Sequence, residues 1–225
     1  MYCIIFNMKN ALTNLLDWIY KKKCYFCGKS KESLKMCSNC YDEMEQLPVQ
    51  VNREIVGVKI YCAGVYEQNI QKLIRGVKYH NQRDLAYFQA KFMYDYWKSL
   101  INKKDFYQVV PVPLFKTREK QRKYNHMALI AEEFCKLTGY EMNLELISRV
   151  KDTKPQYKLN KSQRMNNLEN AFVVNKNSSK KGNILLLDDI CTTGSTFENM
   201  IVELKKNGFN DIVCFATTTP FCEAL

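Results

Sequence analysis

Alternating strand and helix patterns predict an α/β fold, a mostly parallel sheet flanked by helices, with a small N-terminal four-cysteine module attached. Three observations carry this expectation. Ile184-Leu185-Leu186-Leu187 is an unbroken apolar run, which reads as a strand buried on both faces. Two carboxylates, Asp188 and Asp189, follow where that strand is expected to end, and a small, hydroxyl-rich turn over 192–196 leads into a helical pattern near Phe197. Separately, two Cys-x-x-Cys pairs fall within the first 50 residues. The expected division is therefore a helix and four-cysteine module over 1–50 and an α/β domain over 51–225.

The chain has 225 residues and an apolar fraction of 46%, enough for one α/β domain of ordinary size and a small appendage. Its formal net charge of +11 favours nucleic acid, phosphorylated ligands or anionic surfaces as partners, although Lys-rich compositions also accompany AT-rich genomes. No run of about 18 apolar residues is present, so no membrane-spanning helix is expected. Residues 1–8 are too short and too lightly basic for a secretory signal, and a cytoplasmic protein is the default expectation. In that compartment ten cysteines point to metal binding or buried thiols rather than to a disulfide framework.

Taken in order, Leu12, Leu15, Leu16, Ile19 and Tyr20 give an amphipathic helix over 8–22, closed by Lys21, Lys22 and Lys23. Cys24-x-x-Cys27 and Cys37-x-x-Cys40 follow, with nine residues between Cys27 and Cys37. An i, i+3 spacing lets two thiolates of one tight turn face one metal, and two such turns complete a tetrahedral four-thiolate site for a structural Zn2+. A redox role for doubled Cys-x-x-Cys pairs is the competing reading. A short helix over 41–50 is expected to finish the module. Two strands are expected next, over 55–60 and 61–66, then a helix carrying Ile70, Leu73, Ile74 and Val77, and a second over about 85–100. His80 reads as a solvated loop residue.

A strand over 106–113 is stopped by Pro111 and Pro113 and leads into Lys116, Arg118, Lys120, Arg122 and Lys123. These cations read as a loop, at the sheet edge where α/β proteins bind ligands and where pyrophosphate could be held. A helix over about 125–138, stopped by Gly139, and a short strand over 144–150 come next. Residues 151–170 form a long polar segment with the pattern of a lid, a strand restarts over 171–174, and a final strand is expected over 212–216.

The chemistry of the 184–196 stretch is direct. A helix N-terminus presents unpaired N–H groups and a partial positive charge that attract phosphate. Small residues let the backbone approach, and hydroxyls add donors. Carboxylates accept hydrogen bonds from sugar hydroxyls or hold a divalent cation. The absence of Gly-Lys-Ser/Thr excludes a P-loop, and the absence of G-x-G-x-x-G excludes the dinucleotide fingerprint. A strand–turn–helix with no ligand is the alternative.

The stretch resembles the phosphoribosyl pyrophosphate (PRPP) motif of the type I phosphoribosyltransferases. More of the chain joins in: Leu15-Leu16-Asp17-Trp18-Ile19-Tyr20 ahead of the cysteine pairs, Val110-Pro111-Val112-Pro113-Leu114 with Arg118, Arg122 and Asn125, and Arg149, Thr153, Gln156, Leu159, Arg164, Asn167 and Ala171-Phe172. Together these resemble the ComF family, competence-associated relatives of the type I phosphoribosyltransferases, over nearly the whole chain. The chain departs from the family's usual Arg-Gly-Phe-Asn-Gln at Arg122-Lys123-Tyr124-Asn125-His126.

The resemblance implies a type I phosphoribosyltransferase-like domain and a set of roles. Asp188 and Asp189 would face the ribose hydroxyls, and Thr192, Thr193, Gly194, Ser195 and Thr196 would wrap the 5-phosphate. Arg118, Arg122 and Arg164 would meet pyrophosphate, with Mg2+ bound alongside PRPP. Cys24, Cys27, Cys37 and Cys40 would hold Zn2+. The implied role is handling of single-stranded DNA during uptake and transformation, beside a competence helicase or recombination protein. An active Mg2+-dependent phosphoribosyltransferase acting on an unknown base or amine is the alternative.

Overall fold

The computed structural model describes residues 23–29, 35–44, 53–100, 105–122, 124–152, 170–175, 177–178 and 182–220. The helix expected over 8–22, most of the lid over 151–170, and Arg164 lie outside the described residues. The chain divides into two compact units, Met1–Gln46 and Leu47–Leu225.

In the first unit the described segments are two tight turns and one short helix. Gly28 takes φ +72° and its N–H reaches back to the Cys24 carbonyl at 2.9 Å, closing the first turn. Tyr25 N–H donates to the Lys35 carbonyl at 2.8 Å, drawing the two cysteine pairs together. Helix α1 (Ser38–Asp42) starts inside the second pair, earlier than the helix expected over 41–50. Among the described residues of this unit, Cys24, Met36, Cys40, Tyr41 and Met44 are buried.

The second unit is built on a six-stranded sheet. Strand β1 (Arg53–Ile55) turns through Val56 and Gly57, at φ +53° and +71°, into β2 (Val58–Val65). Two consecutive positive φ values are what a tight two-residue hairpin loop needs to match strand twist. The break therefore lies at Val56-Gly57, not between residues 60 and 61 as the apolar pattern suggests. Helices α2 (Gln68–Tyr79) and α3 (Leu85–Leu100) follow. Strand β3 (Tyr107–Pro111), the short helix α4 (Lys116–Arg122) and helix α5 (His126–Thr138) come next. The basic stretch expected as a loop is thus mostly helical, since its straight-chain Lys, Arg, Glu and Gln residues are good helix formers. Asn125 caps α5, accepting from the N–H groups of Met127 and Ala128 at 3.0 and 3.3 Å, and Gly139 ends it in the left-handed region.

Strands β4 (Glu141–Met142), β5 (Ile147–Arg149) and β6 (Phe172–Val174) are short. Strand β7 (Asn183–Ile190), helix α6 (Ser195–Lys206) and strand β8 (Ile212–Thr219) complete the unit. The order in the sheet is β1-β2-β8-β7-β3-β4, with only the β1–β2 pairing antiparallel, while β5 and β6 form a separate antiparallel pair. The mostly parallel α/β architecture read from the sequence is the one observed.

Alternation along β7 and β8 sorts the core into two layers. Ile184 and Leu186 of β7 and Cys214 and Ala216 of β8 pack in one cluster with Phe197, Met200, Ile201 and Leu204 of α6. On the other face Thr217 meets Gln89 and Met93 of α3, and Phe215 meets Trp97 and Phe134. Gly64 of β2 is a close approach: a Cβ there would come within 2.9 Å of the Phe92 ring of α3. No helix among the described residues is long and apolar enough to cross a membrane.

Candidate functional site

Strand β7 runs three residues beyond its apolar core, to Ile190, so Asp188 and Asp189 lie within the strand rather than past its end. Asp188 pairs with Ala216 across the parallel ladder, and Ile190 with Thr218. Successive side chains of a strand point to opposite faces, and this separates the two carboxylates. Asp188 follows Ile184 and Leu186 onto the α6 face, whereas Asp189 follows Leu185 and Leu187 toward α5.

On the α6 face Asp188 lines a small, open depression together with Ile190, Cys191, Thr192, Gly194, Ser195, Thr196 and Phe197. The turn is shaped by Gly194, the residue before α6, at φ +80°. A Cβ at this position would run into Ile55 Cδ1 of β1, so conformation and space both require glycine. The Thr193 and Ser195 hydroxyls lie 3.0 Å apart, and the Ser195 N–H donates to Thr193 Oγ1 at 3.4 Å. The result is a small-residue turn at the start of a twelve-residue helix, with the dipole and N–H groups of a helix start directed at the depression.

The electrostatics of the two carboxylates diverge. Burial and the neighbouring Asp189 push the Asp188 carboxyl well above the ordinary range, against the pull of Lys78 and an accepted hydrogen bond from the Asp189 N–H. That N–H donates to Asp188 Oδ1 at 2.8 Å. Burial also opposes charge on Asp189, but Lys78 and His126 outweigh it and hold this carboxyl far below the ordinary range. Lys78 Nζ donates to Asp189 Oδ2 at 2.6 Å, and His126 Nε2 lies 3.1 Å from the same oxygen. Burial disfavours the Lys78 ammonium, yet the Asp189 charge prevails and raises its pKa.

Arg149, buried on β5 and stacked over the Phe172 ring at 5.6 Å, faces the same neighbourhood. Its pKa is lowered to about 10 by burial and by the charge of Arg118, with Asp188 and Asp152 acting in the opposite sense. Arg118 of α4 is therefore within electrostatic reach of Arg149. Thr117 Oγ1 donates to Asp152 Oδ2 at 2.9 Å, tying α4 to the residues that precede the expected lid. Arg122 lies at the end of α4, and its side-chain position is outside what is described.

In the N-terminal unit the thiols of Cys24, Cys27, Cys37 and Cys40 gather with all sulfurs within 4.8 Å of one another. The Cys27 and Cys37 sulfurs are 3.9 Å apart, close to the spacing of about 3.8 Å that tetrahedral Zn–S bonds of about 2.3 Å impose. All four are free thiols, not disulfides. Cys24 Sγ accepts from the N–H groups of Phe26 and Cys37 at 3.4 and 3.5 Å. Burial opposes its ionisation, but backbone N–H donors draw its pKa down to about 6. Burial and the three neighbouring cysteines push the Cys40 pKa far up. A second thiolate in so tight a cluster needs a cation, and a four-thiolate donor set suits Zn2+.

No protein-family model matches the chain. Among curated proteins it is 28% identical over 201 residues to Competence protein F of Haemophilus influenzae, covering 84% of this chain and 86% of that one. It is 26% identical over 175 residues to Competence protein ComFC of Bacillus subtilis, covering 77% and 67%. The chain is thus similar to these competence proteins over most of its length. A shorter match, 31% identical over 101 residues, links 45% of this chain to 44% of the DNA utilization protein YhgH of Salmonella typhi. A solved structure of the allosteric regulatory enzyme of purine biosynthesis overlays 68% of this chain, and 31% of its own, at a TM-score of 0.43 and 12% identity. An overlay this loose adds nothing to the strand order itself.

The residues singled out by sequence fall into three groups. Asp188, Thr192, Gly194, Ser195 and Thr196 line one depression, and Thr193 sits in the same turn. The four cysteines form one cluster. Arg118 approaches this region through Arg149, while Arg164 lies outside the described residues. Lys78 and His126, whose contacts to Asp189 span 111 and 63 residues of chain, carry no local sequence signal beyond His126 standing where the ComF pattern usually has Gln.

Proposed function

We propose that the protein binds PRPP and acts in natural competence, handling single-stranded DNA during uptake and transformation. The observation that carries the PRPP reading is the depression at the start of α6, lined by Asp188 and by the small, hydroxyl-bearing turn that Gly194 makes possible. In this reading the turn residues 192–196 hold the 5-phosphate and the acidic end of β7, with Asp188 in the depression, marks the ribose. Arg118 and Arg149, cations that repel one another beside Asp188, meet the pyrophosphate together with Arg122 and Arg164. Mg2+ bound with PRPP would neutralise part of the pyrophosphate charge.

The competence half rests on homology to Competence protein F and ComFC and on the +11 charge, which suits a phosphate backbone. A cytoplasmic location and a helicase or recombination partner belong to the same reading. In the N-terminal unit the four thiolates hold a structural Zn2+.

A second reading, an active phosphoribosyltransferase with an unknown base or amine as acceptor, is favoured by the cationic pair Arg118 and Arg149, which would stabilise a leaving pyrophosphate. Calorimetry with PRPP and Mg2+ on the wild type and on Asp188→Ala tests the proposal. Binding by the wild type, lost in the variant, supports the PRPP site, and no binding by the wild type removes it. Release of pyrophosphate with one base or amine from a panel would move the conclusion to the second reading. Gel-shift measurements with single-stranded oligonucleotides at low salt test the DNA half, which fails if no complex forms.

A further inference from the structure

We infer that the acidic pair is divided in function: Asp188 alone meets the ligand, and Asp189 is a positioning residue that anchors a buried three-way joint with Lys78 and His126. For the ligand of Asp188 this rests on the PRPP reading; the joint rests on geometry alone.

Strand alternation sends the two side chains to opposite faces, and only Asp188 lines the depression. The Asp189 side chain is 6% exposed, and its Oδ2 is engaged by Lys78 Nζ at 2.6 Å and His126 Nε2 at 3.1 Å. Its backbone carbonyl accepts from the Thr218 hydroxyl at 3.4 Å. A ribose hydroxyl seeking this carboxylate would have to displace charge-assisted hydrogen bonds, the strong kind.

The joint gathers three elements. Lys78 comes from the last turn of α2, His126 is the first residue of α5, and Asp189 lies near the end of β7. Neighbouring contacts reinforce it. The Tyr124 hydroxyl donates to the Val77 carbonyl, and the Arg83 guanidinium stacks over the Tyr124 ring at 4.5 Å. Asn125 caps α5 between these contacts. The joint reaches the ligand site through a hydrogen bond, the Asp189 N–H that holds Asp188 Oδ1 at 2.8 Å, beside the attraction of the Lys78 charge. Fixing Asp189 fixes that amide, and the amide orients the carboxyl that faces the depression. Lys78 and His126 thereby act on ligand binding without touching ligand.

The test is a double-mutant cycle on the full chain, read by thermal midpoint without ligand and by calorimetry with PRPP and Mg2+. Lys78→Met and Asp189→Asn each leave a buried charged partner without its counterpart, so each lowers the midpoint and weakens PRPP binding, by about tenfold for a coupled buried pair. The double variant removes both charges and recovers most of both losses. His126→Gln keeps a donor toward Asp189 and behaves like wild type, whereas His126→Leu does not. Asp188→Asn loses PRPP binding without a lower midpoint. A double variant that melts no higher than the weaker single variant overturns the joint. One that regains its midpoint yet binds PRPP as poorly as Asp189→Asn shows that Asp189 touches the ligand, and overturns the division. If the wild type binds no PRPP, the PRPP reading and the ligand role of Asp188 fall together, while the melting cycle still decides the joint.

Discussion

Gly194 adopts φ +80° against the side chain of Ile55, and the turn that opens the depression depends on both. In Gly194→Ala the left-handed backbone alone costs about 1–2 kcal/mol. The methyl group must also push aside Ile55 Cδ1, the mobile end of a flexible side chain. Urea unfolding is expected to read a loss of this size, and Ile55→Ala in the same chain should return only the steric part. The two carboxylates give predictions of opposite sign. Asp189 has a depressed folded-state pKa, so its contribution is present above the ordinary carboxylate range and is lost as pH falls through that range and below it. Asp188 has a raised one, so the folded state binds a proton that the unfolded state releases. Its presence therefore destabilises increasingly as pH rises above the ordinary value of 3.8. Asp188→Asn is expected to raise the thermal midpoint at neutral pH and Asp189→Asn to lower it. Equal shifts of the same sign would contradict this split. The acidic pair was legible in the sequence as a pair. Its division was not, because it depends on where the strand ends, and because Lys78 and His126 are far from Asp189 along the chain.

At the level of elements, long periodic segments were legible and short ones were not. Helix α3 spans Leu85–Leu100 as the apolar periodicity indicates, and Asn125 and Gly139 bracket α5 through cap chemistry that is local. Strand β4 has only two residues, whose pairing with β3 supplies what their sequence lacks. The β1–β2 turn is not legible at Val56, which carries no turn signal; its positive φ is set by the hairpin it closes. In the four-cysteine unit, Cys37 and Cys40 belong to the start of α1, so a metal held by the four thiolates would also fix that helix. Metal analysis is expected to find one Zn2+ per chain. Cys40→Ser should lower that content and loosen the N-terminal unit, as read by limited proteolysis, while the Leu47–Leu225 unit keeps its midpoint. Chelation should do the same.

For the molecule as a whole, the sheet is covered on both faces, and the α3–α5 side is centred on Trp97. Its ring lies 5.2, 5.5 and 6.3 Å from those of Phe215, Tyr107 and Phe134, and it is 1% exposed. Trp97→Ala is expected to cost about 3–5 kcal/mol, measured by denaturant unfolding. The +11 charge acts at the same scale. Single-strand binding should weaken linearly in logarithmic plots against salt, with a slope of about −0.7 per phosphate contacted. A flat salt dependence would speak against backbone recognition.

Strand β8, the last in sequence, is inserted between β2 and β7 rather than added at an edge. While the chain is being synthesised, the two halves of the sheet therefore wait with facing edges unpaired until residue 219 has emerged. Asp189 lies on the β7 side of that gap, and the turn at Gly194 must reach across it to pack against Ile55 of β1. A nascent or prematurely terminated chain thus exposes two strand edges of the kind that recruit other chains. The ligand site cannot mature before translation has passed it by more than twenty residues. Its quality control is built into the strand order.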